Sequence, residues 1–157
     1  MVKCKSTSRL SKVNSKVILT QTDTTVGFLS QSSNKLYDIK SRKQTKPFIK
    51  VYDSFKSLQK NNNRIPTSMK NLVRRSKKTT FIVKNRAFRV AKSSLNSQLL
   101  RDLSYSFSTS ANKSQEKFNR IFCEQKADII IEDKNSLYEN LSSSLIKINQ
   151  KTKKRLR

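Results

Sequence analysis

Apolar positions in this chain come in short runs set between long polar stretches, and their spacing switches between two periods. Lys16 to Thr20 (KVILT) is a short β-branched run and predicts a strand. It opens into the polar Gln21-Thr22-Asp23-Thr24-Thr25, which is followed by the apolar Val26-Gly27-Phe28-Leu29. Asn34 to Lys40 carries Leu36, Tyr37 and Ile39, a short helix, and Ser41 to Lys46 is a basic loop. Pro47 to Tyr52 alternates apolar and polar residues, a strand that tolerates proline at its start. Asp53 is placed to cap a helix carrying Phe55 and Leu58, which Asn61-Asn62-Asn63 ends. Pro66 suits a first helical turn, with Met69, Leu72 and Val73 on one face. After a basic turn, Arg74 to Lys78, the segments Thr79 to Lys84 and Arg86 to Val90 predict a hairpin about Asn85.

The second half repeats the alternation. Ser93 caps a helix with Leu95, Leu99, Leu100 and Leu103, and Tyr105 and Phe107 mark a short strand. Ser108 to Asn112 is a polar loop at its end. Ser114 to Lys126 has the clearest helical spacing, with Phe118, Ile121 and Phe122, and Ala127 to Ile131 is a β-branched strand. Ser142-Ser143-Ser144 leads into a last strand, and Lys151 to Arg157 is a basic tail. Strands alternating with helices predict an α/β domain, and the hairpin makes its sheet mixed rather than all parallel. With 157 residues, no internal repeat and no linker, 1–157 reads as one domain.

Composition narrows the chemistry. Lys and Arg number 35 against 10 acids, a net charge of +25 that favours polyanionic partners. There is no histidine, so histidine acid–base catalysis and histidine metal sites are excluded. The one glycine, Gly27, leaves no glycine-rich phosphate loop, so a bound nucleotide would need side-chain hydroxyls and cations instead. Cys4 and Cys123 form no CxxC pair and suit a reducing compartment; Cys123 lies on an apolar helical stripe, as core. No apolar run approaches a membrane span, and Met1 to Ser15 has no signal-like apolar segment, which predicts a cytoplasmic protein.

Three hydroxyl-rich segments remain: Thr22–Thr25, Ser108–Asn112 and Ser142–Ser144, each beside a strand, with the basic Lys40–Lys46 between the first two. Each alone is ordinary turn chemistry. Brought together at sheet ends, they would make a phosphate or carboxylate site, cations neutralising charge and hydroxyls orienting oxygens. Asp23 is the only acid among them and serves equally as a site residue or as an Asx-turn.

The order of these motifs resembles the YrdC-like threonylcarbamoyl-adenylate synthase family. The resemblance runs through Gln21-Thr22-Asp23-Thr24, Lys40-Ser41-Arg42, Lys46-Pro47, Thr79 to Lys84, Phe88-Arg89-Val90, Ser108 to Asn112 and Ser143-Ser144, and nearly spans the chain. There are departures: Gln21 stands where the family has proline, Val51 where histidine is common, and Lys147 where an aspartate is usual. The resemblance implies a twisted mixed sheet flanked by helices, with a basic concave cleft. It implies formation of L-threonylcarbamoyladenylate and pyrophosphate from L-threonine, bicarbonate and ATP, for modification of adenosine 37 in tRNA. ATP would be held by Lys40, Arg42, Lys46, Thr80, Ser110, Asn112 and Arg157, and L-threonine by Thr24, Lys84, Ser108 and Ser143. Mg²⁺ would be carried mainly by the ATP phosphates. tRNA or double-stranded RNA and a transferase that uses the adenylate would be partners. The alternative is a non-catalytic RNA-binding protein of the same fold, and composition alone allows a small basic structural protein.

Overall fold

The computed structural model describes residues 2–4, 13, 15–41, 45–61, 64–91, 94–113 and 116–157. Of the sequence expectations, Arg42, the cap at Ser93 and the helix start at Ser114 lie outside these residues. In chain order the elements are β1 (Val2–Cys4), β2 (Ile18–Gln21), β3 (Val26–Ser30), α1 (Ser33–Lys40), β4 (Ile49–Tyr52) and α2 (Phe55–Lys60). They continue through α3 (Lys70–Arg75), β5 (Thr79–Val83), β6 (Arg86–Val90), α4 (Ser94–Leu103), β7 (Ser106–Ser110) and α5 (Arg120–Lys126). The last three are β8 (Ile129–Ile131), β9 (Ser144–Ile148) and β10 (Lys153–Arg155). All the described strands join one mixed sheet in the order β1-β8-β2-β3-β7-β4-β6-β5-β9-β10.

Period-2 alternation gives the sheet two unlike faces. Leu19, Phe28, Tyr52, Phe81 and Phe88 point to one face and are buried there in two apolar clusters under the helices. Cross-strand register places Thr20, Gly27 and Ser110 in one row of the other face, and Leu29, Ser108 and Ile49 in the next. Val51, Arg89 and Thr80 continue that face. Helix α4 covers one end of it, where Leu103 packs with Ile18 and Leu29, and Leu100 with Val51 and Ala91. The remainder is polar and forms the site described below.

The hairpin about Asn85 is present, and both turn residues, Lys84 and Asn85, take left-handed φ angles of 47° and 62°, as a tight two-residue turn requires. Helix α2 is capped by Ser54, not Asp53: the Ser54 hydroxyl accepts from the Ser57 amide at 3.2 Å, while the Asp53 carboxylate accepts from the Ser57 hydroxyl. Helix α5 starts at Arg120 rather than near Ser114, because Asn119 is its cap, accepting from the Phe122 amide at 3.0 Å. The segment read as a Ser108–Asn112 loop is strand as far as Ser110. The basic tail contains β10, which pairs with β9 at the sheet edge. Cys123 is fully buried, and burial pushes its thiol up to about 11. Among the described residues no helix is long and apolar enough to cross a membrane.

Candidate functional site

On that polar part of the sheet face, the β2–β3 loop, the start of β3, the end of β7, β4, β6 and the residues before β9 enclose a pocket of about 180 Å³. Thr24, Ser108, Ser110, Ser143 and Arg157 line it, so five of the expected site residues meet here from distant parts of the chain. Period-2 geometry explains how β7 contributes: Ser106, Ser108 and Ser110 share one face while Phe107 packs on the other. Gly27 forms part of the wall. A Cβ at Gly27 would come within 3.0 Å of the Thr109 carbonyl oxygen and of the Thr22 methyl, so β7 can approach β3 this closely only beside a glycine.

Arg89 was not among the expected site residues, yet it lines the pocket and is 3% exposed. Its Nη1 donates to Thr24 Oγ1 at 2.8 Å, and its Nε lies 3.4 Å from Asp23 Oδ1. That separation is an ion pair without a hydrogen bond, and both atoms are buried with no hydrogen-bond partner. Burial lowers the Arg89 pKa from its ordinary value, and the Asp23 charge opposes the shift. An arginine stays protonated regardless, so the pocket floor holds a fixed cation with donor capacity left over. Asp23 is thereby assigned to positioning Arg89. The Thr22–Thr25 loop is itself rigid: Thr22 Oγ1 donates to the Thr25 carbonyl at 2.7 Å and accepts from the Thr24 amide at 3.2 Å.

Three expected residues, Thr80, Lys40 and Asn112, sit directly behind the pocket. Thr80 is buried and shares a hydroxyl hydrogen bond of 2.8 Å with Ser143. Lys40 is buried at the end of α1, and its Nζ donates to the Ser110 carbonyl at 3.1 Å and to the Asn112 carbonyl and Oδ1 at 2.6 Å each. Ser110 Oγ also donates to Asn112 Oδ1, at 2.7 Å. Lys40, Ser110 and Asn112 thus form one knot that fixes the end of β7. Arg157 reaches the pocket because the segment after β10 folds back on β9: the Leu145 amide donates to the Arg157 carbonyl, and Arg157 Nε donates to the Ser143 carbonyl at 3.2 Å.

Two expected residues are not brought in. Lys46 is exposed, its carbonyl accepting from the Tyr37 hydroxyl, and it does not line the pocket. Lys84 lies in the hairpin turn at the far end of β5, roughly 13 Å along the strand from Thr80, and lines a different groove. The signal that would have found Arg89 is its alternation: Phe88 and Val90 enter the core, which puts Arg89 on the face of the serine row. Among the described residues no group of three or more Asp, Glu or Cys is arranged to hold a metal.

Solved structures share the fold at low identity. Sua5 of P. abyssi in complex with L-threonine superposes with a TM-score of 0.74 at 18% identity, over 90% of this chain and 50% of that one. YciO of E. coli gives 0.67 at 15% identity, over 91% and 82%. Full-length HypF in a phosphate- and nucleotide-bound form gives 0.71 at 14% identity, over 90% and 22%. The chain therefore spans about half the length of the Sua5 structure it matches. No curated protein sequence matches it. The family model for Sua5, YciO and YrdC, described as telomere recombination, matches residues 13–157. A polar sheet face walled by Ser, Thr and Arg is what this fold positions here, and the chain belongs to the Sua5, YciO and YrdC family.

Proposed function

We propose that the protein is an L-threonylcarbamoyladenylate synthase. The observation that carries this reading is the meeting of Thr24, Ser108, Ser110, Ser143 and Arg157 over the buried guanidinium of Arg89. The enclosed volume of about 180 Å³ is below the range of nucleotide-sized cavities and suits an amino acid. In this reading threonine takes the enclosed part, its carboxylate facing Arg89 and its polar groups meeting Thr24, Ser108 and Ser143. ATP takes the open sheet surface beside Ser110 and Arg157. The family membership and the L-threonine held by the P. abyssi protein support the assignment.

The overall reaction balances as threonine plus bicarbonate plus ATP giving threonylcarbamoyladenylate, pyrophosphate and water. The threonine nitrogen becomes a carbamate on combining with the carbon of bicarbonate, water leaving. A carbamate oxygen then bonds to the α-phosphorus as the bond to pyrophosphate breaks. Such a transfer relies on positioning and charge stabilisation more than on acid–base groups, which suits a chain without histidine. Magnesium ion would neutralise phosphate charge. The chain offers it little beyond that role, since Asp23 is engaged with Arg89.

The test is pyrophosphate release by purified protein given ATP, Mg²⁺, threonine and bicarbonate, with the adenylate identified by mass. Release that requires both threonine and bicarbonate is the expected result. A folded protein that binds neither threonine nor ATP and releases nothing overturns the proposal and leaves the non-catalytic RNA-binding alternative.

A further inference from the structure

The connection between β8 and β9, residues 132–143, carries the chain past the six strands that separate these two in the sheet. It contains no helix or strand, and its last residues, Ser142 and Ser143, line the pocket. The route is short. From Asn140 to Ser144 the chain reaches at most about 14 Å, whereas β3 and β9 stand five spacings apart in the sheet, about 24 Å along a flat one. Asn140 is nevertheless bonded to Thr25, next to β3, and Ser144 begins β9. The sheet must curl for so short a stretch to join them, and the stretch forms one wall of the pocket.

Little apolar burial holds this wall. Leu137 is buried in the core, but beyond it Tyr138 is 46% exposed and Leu141 is 85% exposed. Hydrogen bonds to the β2–β3 hairpin hold it instead. The Tyr138 amide donates to Gln21 Oε1 at 3.2 Å, and the Tyr138 carbonyl accepts from the Val26 amide at 3.2 Å. The Asn140 amide donates to Thr25 Oγ1 at 3.2 Å. Further along, the Ser143 hydroxyl bonds to Thr80 and its carbonyl accepts from Arg157. Gln21 differs from the other side chains in this set that face the pocket region, Thr25, Ser143 and Arg157, because it does not line the pocket. Its side chain acts on the wall only through Tyr138. A proline, the residue the family carries at this position, has no side-chain acceptor, so the tie is particular to this chain.

We propose that Gln21 is a positioning residue for the ligand pocket: by holding Tyr138 it sets the distance between the wall that carries Ser143 and the β2–β3 loop that carries Thr24. In the synthase reading these two hydroxyls meet the polar groups of threonine from opposite sides. The kinetic consequence rests on that reading, and the structural one does not.

The test compares the full-length protein with Gln21→Leu, which removes the acceptor at similar size, and Gln21→Glu, which keeps an acceptor oxygen. Amide hydrogen exchange without ligand is read for residues 137–143 and, as a control, for the β5–β6 hairpin. Gln21→Leu is expected to speed exchange over 137–143 by about tenfold, the scale of one hydrogen bond, with the hairpin unchanged. Gln21→Glu is expected to restore the slow rate. Unchanged exchange in Gln21→Leu overturns the proposal, and so does acceleration that spreads to the hairpin, which would make Gln21 a general support of the fold. Pyrophosphate release against threonine concentration gives the second readout. Gln21→Leu is expected to raise the threonine KM about tenfold with little change in kcat, and Gln21→Glu to reverse the rise. A fall in kcat at unchanged KM overturns the proposal. No release by the unaltered protein counts against the synthase reading, and the exchange result then decides the role of Gln21 by itself.

Discussion

Thr24 accepts a hydrogen bond from Arg89, and its own hydrogen is free to go to Thr22 Oγ1, 3.2 Å away, or to a ligand. Thr24→Val keeps the shape, removes both functions and strands Nη1 of Arg89. It should lower stability by about 1–3 kcal/mol and raise the threonine KM at least tenfold, read from pyrophosphate release against threonine concentration. Lys84→Ala should leave that KM unchanged, because Lys84 stands at the other end of β5. A KM that rises as much for Lys84→Ala as for Thr24→Val would return Lys84 to the threonine site. Much of the pocket was legible at this scale. Ser and Thr beside strands and a Lys behind them are visible in the residues, as is the Ser108-x-Ser110 alternation. What was not legible is the use of each group. Lys40 looks like a phosphate ligand in sequence, yet its ammonium is spent on β7 carbonyls and Asn112. Arg89 looks like part of a strand motif, yet it is the pocket's buried cation. Burial and hydrogen-bond partners separate these roles, and neither is a property of local sequence.

At the scale of elements, the parallel pairing of β2 with β8 is pinned by a reciprocal contact. The Val17 amide donates to Asp128 Oδ2 at 2.8 Å, and the Asp128 amide donates to the Val17 carbonyl at 2.8 Å. Burial alone would raise the Asp128 carboxyl, but the Val17 N–H and the Lys16 ammonium outweigh it and hold the pKa below the ordinary value. A depressed folded pKa means that this carboxylate stabilises the fold above the unfolded value near pH 4, and that the contribution fades as pH falls through the lower folded value. Urea unfolding of the wild type and Asp128→Asn should therefore show a gap at pH 6 that narrows towards pH 3. A gap independent of pH would mean that the carboxylate charge is irrelevant to the pairing. The elements read best from sequence were those with local signals, the β5–β6 hairpin and α1. The edge strands were missed because a three-residue strand such as Lys153–Arg155 has no pattern of its own and exists only through its pairing with β9. Helix α5 was overextended because Phe118 continues its apolar spacing, whereas the Asn119 cap decides where the backbone turns.

At the scale of the molecule, two consequences of the +25 charge should respond to salt with opposite signs. Like charges crowd the side of the sheet built from residues 54–101 and 140–157, which hold no Asp or Glu, and their repulsion opposes folding. Added KCl shortens the Debye length to about 8 Å at physiological strength and screens exposed cations from one another. The ion pairs that salt would weaken are few. Arg89–Asp23 is buried and poorly screened, and the Arg120 pairs with Glu124 and Glu132 are exposed and worth little. Relief of repulsion should win, and about 1 kcal/mol of it would raise the unfolding midpoint by about 2–4 °C between low and physiological KCl. Over the same range nucleic acid binding should weaken, because each released counterion gains less entropy as bulk salt rises. Differential scanning fluorimetry and fluorescence anisotropy of a labelled RNA, on one salt series, measure both. A midpoint that falls with KCl would show that attractive pairs dominate the fold. The acid-free surface would then be no source of strain in the free protein, and a polyanion would relieve nothing by binding there.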